Sequence, residues 1–287
     1  MKKTAIYQKK RPGAARWFNK WVQSPRWLLG FGVAVGVCLG VYALHAAFGR
    51  VRPGSVLGLA YGIAATALFA GVFFYSIKRR TMQIRALGRA WPYLQFHVYA
   101  GTLFLLLMGM HTGFQWPKGV LTWILWITSV WTVATGLLGI VLQKWIPTLL
   151  NSGLSTEVHY DRIPELVEGM RERAAALAAT AHPMVQDFHR RHLAPVLAAP
   201  ETRLIYFVDI TGGAQARIDQ FEYLHGLLPA ADAPALDALQ DLYRTKLEID
   251  AHFTLQKALR WWLYLHVPVS VLLFALLALH IFTVLYY

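Results

Sequence analysis

PYLQFHVYAGTLFLLLMGMHTGF, Pro92 to Phe114, is the stretch whose reading decides the fold: it is long and apolar, and it carries His97 and His111 fourteen positions apart. The C-terminal stretch WWLYLHVPVSVLLFALLALHIFTVLYY, Trp261 to Tyr287, repeats that spacing with His266 and His280. In an α-helix fourteen residues rise about 21 Å and complete almost four turns, so both histidines of a pair share one face at different depths. An ionisable side chain inside hydrocarbon is expensive and usually faces a partner or a cofactor. Two such helices side by side present an imidazole pair at each of two levels, an arrangement suited to clamping two haems.

Composition agrees with a membrane setting. Of 287 residues, 56% are hydrophobic and only 15% charged, which is unlike a soluble domain. The single cysteine, Cys38, lies in an apolar run, which excludes a disulfide framework, a cysteine-rich iron–sulfur pattern and C-x-x-C-H attachment, so any haem is bound non-covalently. The net charge of +13 does not point to nucleic acid, because all fifteen acids fall between Glu157 and Asp250. Elsewhere Lys and Arg sit in short loops, where they set topology.

The sequence predicts an all-α, multi-pass membrane helical bundle with five transmembrane helices and a mostly helical cytoplasmic insertion. Residues 1–26 form a basic cytoplasmic N-terminal segment with eight cations, and Arg16 to Trp21 mixes cations and aromatics as a short interfacial helix does. Residues 27–143 hold four spans: Trp27–Phe48, Val56–Ile77, Pro92–Phe114 and Val120–Leu142, each long enough for a core of about 30 Å. The first is read as a retained span and not a cleaved signal. Gly32, Gly36 and Gly40 form a small-residue stripe that admits a neighbouring helix or a flat ligand, with helix packing the first expectation. Gly58 with Gly62, and Gly136 with Gly139, thin two further helix surfaces. Pro92 suits a first helical turn.

Residues 144–260 are the insertion, with 12 basic and 15 acidic residues, and 261–287 is the fifth span. Within the insertion, Ile163, Leu166, Val167, Met170, Ala174 and Leu177 follow helical spacing, as do Leu236, Leu239, Leu242 and Tyr243. Leu204 to Val208, ahead of Thr211-Gly212-Gly213, reads as one short strand. Thirteen cations in 1–26 and 78–89 against three in the alternate loops (Arg50, Arg52, Lys118) place the N-terminus and the insertion inside and the C-terminus outside a cytoplasmic membrane.

With that topology the third and fifth spans run in the same direction, so His97 and His266 share the inner level and His111 and His280 the outer. Bis-imidazole ligation of porphyrin iron needs such pairs: an inner haem on His97 and His266 and an outer haem on His111 and His280. Gly101, Gly109 and Gly113 give the third span low relief beside a flat macrocycle. Arg85, Arg89 and Arg260, with Lys257, are candidate propionate partners on the inner side, as Arg50, Arg52 and Lys118 are outside, and topology accounts for all of them equally. Pro268 is expected to bend the fifth span beside His266. His45 is read first as a hydrogen-bonding residue, with a quinone site as the other use. His189 and His192, separated by two arginines, read as a solvated basic surface.

The paired H-x13-H spacing resembles the transmembrane domain of the ferric reductase and NADPH oxidase superfamily, and more loosely other di-haem b-type cytochromes. The resemblance covers the spans and not the insertion. It implies that His97, His111, His266 and His280 are axial ligands of two b haems that pass electrons across the membrane singly. The chain departs from those enzymes in having no sixth span, a longer fourth-to-fifth connection, and no flavin and nicotinamide domain following the spans. The expected function is therefore an electron-transfer subunit of an oxidoreductase complex rather than a complete enzyme. Its expected partners are the lipid bilayer, a flavin or iron–sulfur protein or a quinol on one side, and a c-type cytochrome on the other. A transporter or assembly factor moving protons, metal ions or haem is the alternative, and a structural anchor for a redox complex is a third reading.

Overall fold

The apolar runs become helices because backbone groups in an apolar solvent must be satisfied within their own segment. The computed structural model describes residues 25–49, 51–81, 84, 88–153, 159–208, 215–229 and 232–286. Expectations for the interfacial helix at 16–21, for Arg50 and Arg85, and for Thr211-Gly212-Gly213 lie outside the described residues. Five described helices are long and apolar enough to cross a membrane: α1 Pro25–Phe48, α2 Val56–Arg80, α3 Ala90–His111, α4 Val120–Gly153 and a long C-terminal helix, Ala233–Tyr286. Between the last two come α5 Ile163–Ala179, α6 Pro183–Phe188, α7 Ala194–Leu197 and α8 Gln215–His225, so the long helix is α9. Among the described residues there is no strand.

Local chemistry sets the helix ends. α1 begins on Pro25, whose missing N–H costs nothing there. The Ser55 side chain caps α2 by accepting from the Gly58 N–H at 3.1 Å, and Lys78, Arg79 and Arg80 occupy its last turn, favourable toward the helix dipole. After α3 the chain turns through Gly113 at φ +63°, where a Cβ would stand 2.7 Å from the Val51 carbonyl oxygen, so only glycine fits.

The chain divides into two units, one of residues 1–141 and 262–287 and one of residues 142–261. The first is built from α1, α2, α3 and the apolar portions of α4 and α9. Its core gathers Tyr61, Ala65 and Phe69 of α2, Phe104, Leu107 and Met110 of α3, Val133 of α4 and Leu273 of α9. Its outward face is apolar, with Leu29, Phe48, Val120 and Leu285 exposed, as a surface meeting lipid is. The second unit packs Ile163, Val167, Met170 and Ala174 of α5 against Phe188, Phe221, Leu236, Leu239 and Tyr243. Inside it, Lys246 donates to both carboxylate oxygens of Asp250 at 2.7 Å, and Asp250 also accepts from the Glu201 N–H at 2.9 Å.

Three expectations need correction. Leu204–Phe207 is a 3-10 turn and not a strand: of its side chains Tyr206 is buried while Leu204 and Ile205 are exposed, and no described strand offers a pairing edge. The helix holding Leu236 to Tyr243 and the fifth span are one continuous element, α9. From Arg244 to Arg260 no Gly or Pro interrupts the chain, so the shift from polar to apolar changes the helix's surroundings and not its backbone. The stripe Gly32, Gly36, Gly40 meets no other helix among the described residues: a Cβ at any of them meets nothing within 4 Å, and α1 has no buried residue.

Candidate functional site

In the first unit α3 and α9 bring the four histidines together in two pairs. The His97 and His266 rings lie 6.3 Å apart, centre to centre, with 68° between their planes. The His111 and His280 rings lie 6.5 Å apart at 79°. His97 thus meets His266 and His111 meets His280, each at its own level, which requires α3 and this part of α9 to run parallel. Metal–imidazole bonds of about 2.0–2.1 Å, added to roughly 1.1 Å from ring nitrogen to ring centre, set two coaxial imidazoles on one metal ion about 6 Å apart. Both pairs have that spacing.

The second nitrogen of three rings is already engaged. His97 Nδ1 lies 3.2 Å from the Val72 carbonyl oxygen, and His111 Nδ1 lies 2.8 Å from that of Gly58. A carbonyl only accepts, so in both rings Nδ1 carries the proton and Nε2 keeps its lone pair. His266 Nδ1 lies 3.0 Å from the Thr135 hydroxyl, which also lies 2.8 Å from the Trp131 carbonyl and 3.1 Å from that of Thr132. With its proton on either carbonyl the hydroxyl accepts from His266, with the same result. Such partners orient a ligating imidazole and raise its basicity.

Close packing fixes these rings. A Cβ at Gly62 would stand 2.8 Å from His111 Nδ1, and one at Gly136 would stand 3.4 Å from His266 Cε1. Trp262 stacks on His266 at 5.8 Å and donates to the Thr135 carbonyl at 2.7 Å, and it occupies the place of a Gly139 side chain, since a Cβ there would fall 2.0 Å from its ring. Gly101, one turn after His97, differs: a Cβ there meets nothing within 4 Å, so the chain leaves space on the histidine face. Gly109 instead makes room for the Phe114 ring.

Around Pro268, which has no N–H for the Tyr264 carbonyl, α9 stays helical. Trp131 Nε1 donates to the Leu265 carbonyl at 3.3 Å and the Ser270 hydroxyl to that of His266 at 2.7 Å, so neighbouring groups brace this turn.

Midway between the two histidine levels four phenylalanines cluster. Phe69 lies 4.8 Å from Phe104 and 5.7 Å from Phe73, and Phe73 lies 4.7 Å from Phe274. Phe104 is seven residues from each α3 histidine, and Phe274 is eight from His266 and six from His280. Spacing places Phe104 and Phe274 midway along their own helices, but only the folded chain brings Phe69 and Phe73 of α2 against them. Thr135, Trp262 and the carbonyls of Gly58 and Val72 were also missed, although Gly58 and Gly62 were noted as a small pair and Trp262 stands one turn from His266.

The remaining sequence candidates are dispersed. Arg89 is exposed at the N-cap position of α3. Arg260 pairs with Asp161 at 2.8 Å and lies over the Tyr160 ring at 4.0 Å, while Lys257 donates to the Thr202 hydroxyl at 3.1 Å; both contacts fall within the second unit. His45 Nδ1 and the Tyr61 hydroxyl are buried without a hydrogen-bond partner among the described residues, their rings 6.0 Å apart, so the hydrogen bond expected of His45 is not formed there at that nitrogen. Arg190 and Arg191 both pair with Asp187, whose carboxyl they hold below its usual range, on the exposed surface expected for that segment. Among the described residues no third His, Cys, Asp or Glu joins either histidine pair. No family model, curated protein or solved structure matches this chain.

Proposed function

We propose that this protein is a membrane electron carrier in which His97 and His266 hold one haem b and His111 and His280 hold a second. The observation that carries the reading is the two pairs of imidazoles at metal-bridging separation, with Nδ1 of His97, His111 and His266 already engaged. Each pair sets two imidazoles at the separation that one metal ion between them would require, with no third His, Cys, Asp or Glu beside them among the described residues, which suits an ion whose other donors come from a macrocycle better than a bare ion needing four protein ligands. Haem b bound there supplies one-electron iron chemistry.

The chain's own residues do the rest. Thr135 and the carbonyls of Val72 and Gly58 hold the ring protons on Nδ1, and Trp262 fixes the plane of His266. Phe69, Phe73, Phe104 and Phe274 fill the region between the levels and keep water from it. Electrons enter and leave through other components: a flavin or iron–sulfur protein or a quinol on one side, and a c-type cytochrome on the other. The chain is then an electron-transfer subunit of an oxidoreductase complex in a cytoplasmic membrane, with its N-terminus inside. Arg85 and Arg89 stay candidates for the inner propionates, whereas Arg260 is engaged by Asp161.

The test is an optical spectrum and a haem assay on the purified full chain. Two low-spin b haems per chain are expected, and a colourless, fully folded preparation overturns the proposal.

A further inference from the structure

A groove of about 300 Å³ runs along the first unit between α1, α2 and α3, on a different face of α3 from the histidines. Its walls are Phe31 and Ala34 of α1, Leu68 of α2, and Tyr99 and Leu103 of α3, and Arg26 stands at one end. Trp27 and Phe31 of α1 meet Tyr99 within the groove, and Tyr42 meets Tyr61 and Phe114 further along the helix. Beside the first contact α1 is thinned by small residues. A Cβ at Gly30 meets nothing within 4 Å, and no residue of α1 is buried. With Gly30 and Ala34 thinning α1 here, apolar wall is left uncovered along the groove.

We infer that this groove binds an anionic phospholipid, with the phosphate on the Arg26 guanidinium and an acyl chain lying along Phe31, Ala34, Leu68 and Leu103. Charge selects the occupant. The end of an otherwise apolar groove carries a full cation, which forms a charge-assisted hydrogen bond to phosphate, whereas a neutral quinone offers it only a carbonyl. The acyl chain supplies the packing that α1 lacks, so the lipid acts as a structural component that seats this helix. The inference is independent of the histidine pairs.

The test is native mass spectrometry of the delipidated full chain, titrated with phosphatidylglycerol or phosphatidylcholine. One phosphatidylglycerol per chain is expected, preferred about five-fold over phosphatidylcholine, the ratio that one cation near a membrane surface supplies. Arg26→Gln abolishes the preference, Arg26→Lys keeps most of it, and Ala34→Phe, which fills the groove, weakens binding of both lipids. Arg26 is exposed, so its replacements remain informative even where Ala34→Phe does not fold. Equal binding of the two lipids by the unmodified chain, a preference surviving Arg26→Gln, or a co-purifying quinone that displaces phosphatidylglycerol each overturns the inference.

Discussion

Thr135 has one hydroxyl proton and two carbonyls of its own helix to give it to, Trp131 at 2.8 Å and Thr132 at 3.1 Å, and with the proton on either its oxygen serves His266 as acceptor. Thr135→Val keeps the shape and removes that acceptor; inner-haem affinity should fall about 10- to 100-fold, the usual cost of losing a partner behind a metal ligand. Thr135→Ser should restore it, and haem content measured against dilution separates the two. Gly101 offers a different test, since the chain places nothing where its side chain would be. Gly101→Leu should leave the fold intact by circular dichroism and yet lower retention of the inner haem; unchanged retention would mean the space is used by lipid alone. The four histidines were legible in the sequence because a repeated spacing survives folding unchanged. Thr135 was not, because a threonine in a membrane helix ordinarily bonds its own backbone, and this one does that as well.

Elements were legible wherever local composition dictates them. The four N-terminal apolar runs start within two residues of their helices, since a run without acids, bounded by Pro, Ser or basic turns, has few other conformations open to it. The misread places are those where a tertiary contact decides: Leu204–Phe207 follows the burial of Tyr206, and α9 continues past the change in polarity. That change conceals Lys246 and Asp250, one turn apart and both almost fully buried. Burial pushes the Asp250 carboxyl up, against the pull of Lys246 and the Glu201 N–H. Lys246→Met should destabilise the chain by about 3–5 kcal/mol, because it strands a buried charge, and Lys246→Met with Asp250→Leu should recover most of the loss. In the single variant nothing opposes desolvation except the Glu201 N–H, so the carboxyl stays above its unfolded value. An acid raised in this way favours the folded state when protonated, so the variant should regain stability as pH falls. Thermal unfolding of both variants between neutral and mildly acidic pH measures this.

At the scale of the whole molecule, the sequence reading rested on parity: with one span between the histidine helices and a long insertion after it, the third and fifth spans must run the same way. The ring contacts have that order, and they predict a pattern of losses. His97→Ala and His266→Ala should each remove the same haem and leave the other, and His111→Ala and His280→Ala should do the reverse, read from the α-band of the reduced spectrum. Loss of both haems from a folded single variant would mean that the two levels are not independent. The phenylalanines midway between the levels were not foreseen, because their role follows from three helices converging and no single stretch contains it.

The steep angle between facing imidazole planes, 68° in one pair and 79° in the other, has a magnetic consequence. Parallel imidazoles on a low-spin ferric ion split its two π-symmetry d orbitals, whereas crossed ones leave them nearly degenerate and orbital momentum largely unquenched. If the two pairs hold low-spin ferric haems as proposed, paramagnetic resonance near liquid-helium temperature should show two strongly anisotropic, broad signals in place of compact rhombic ones.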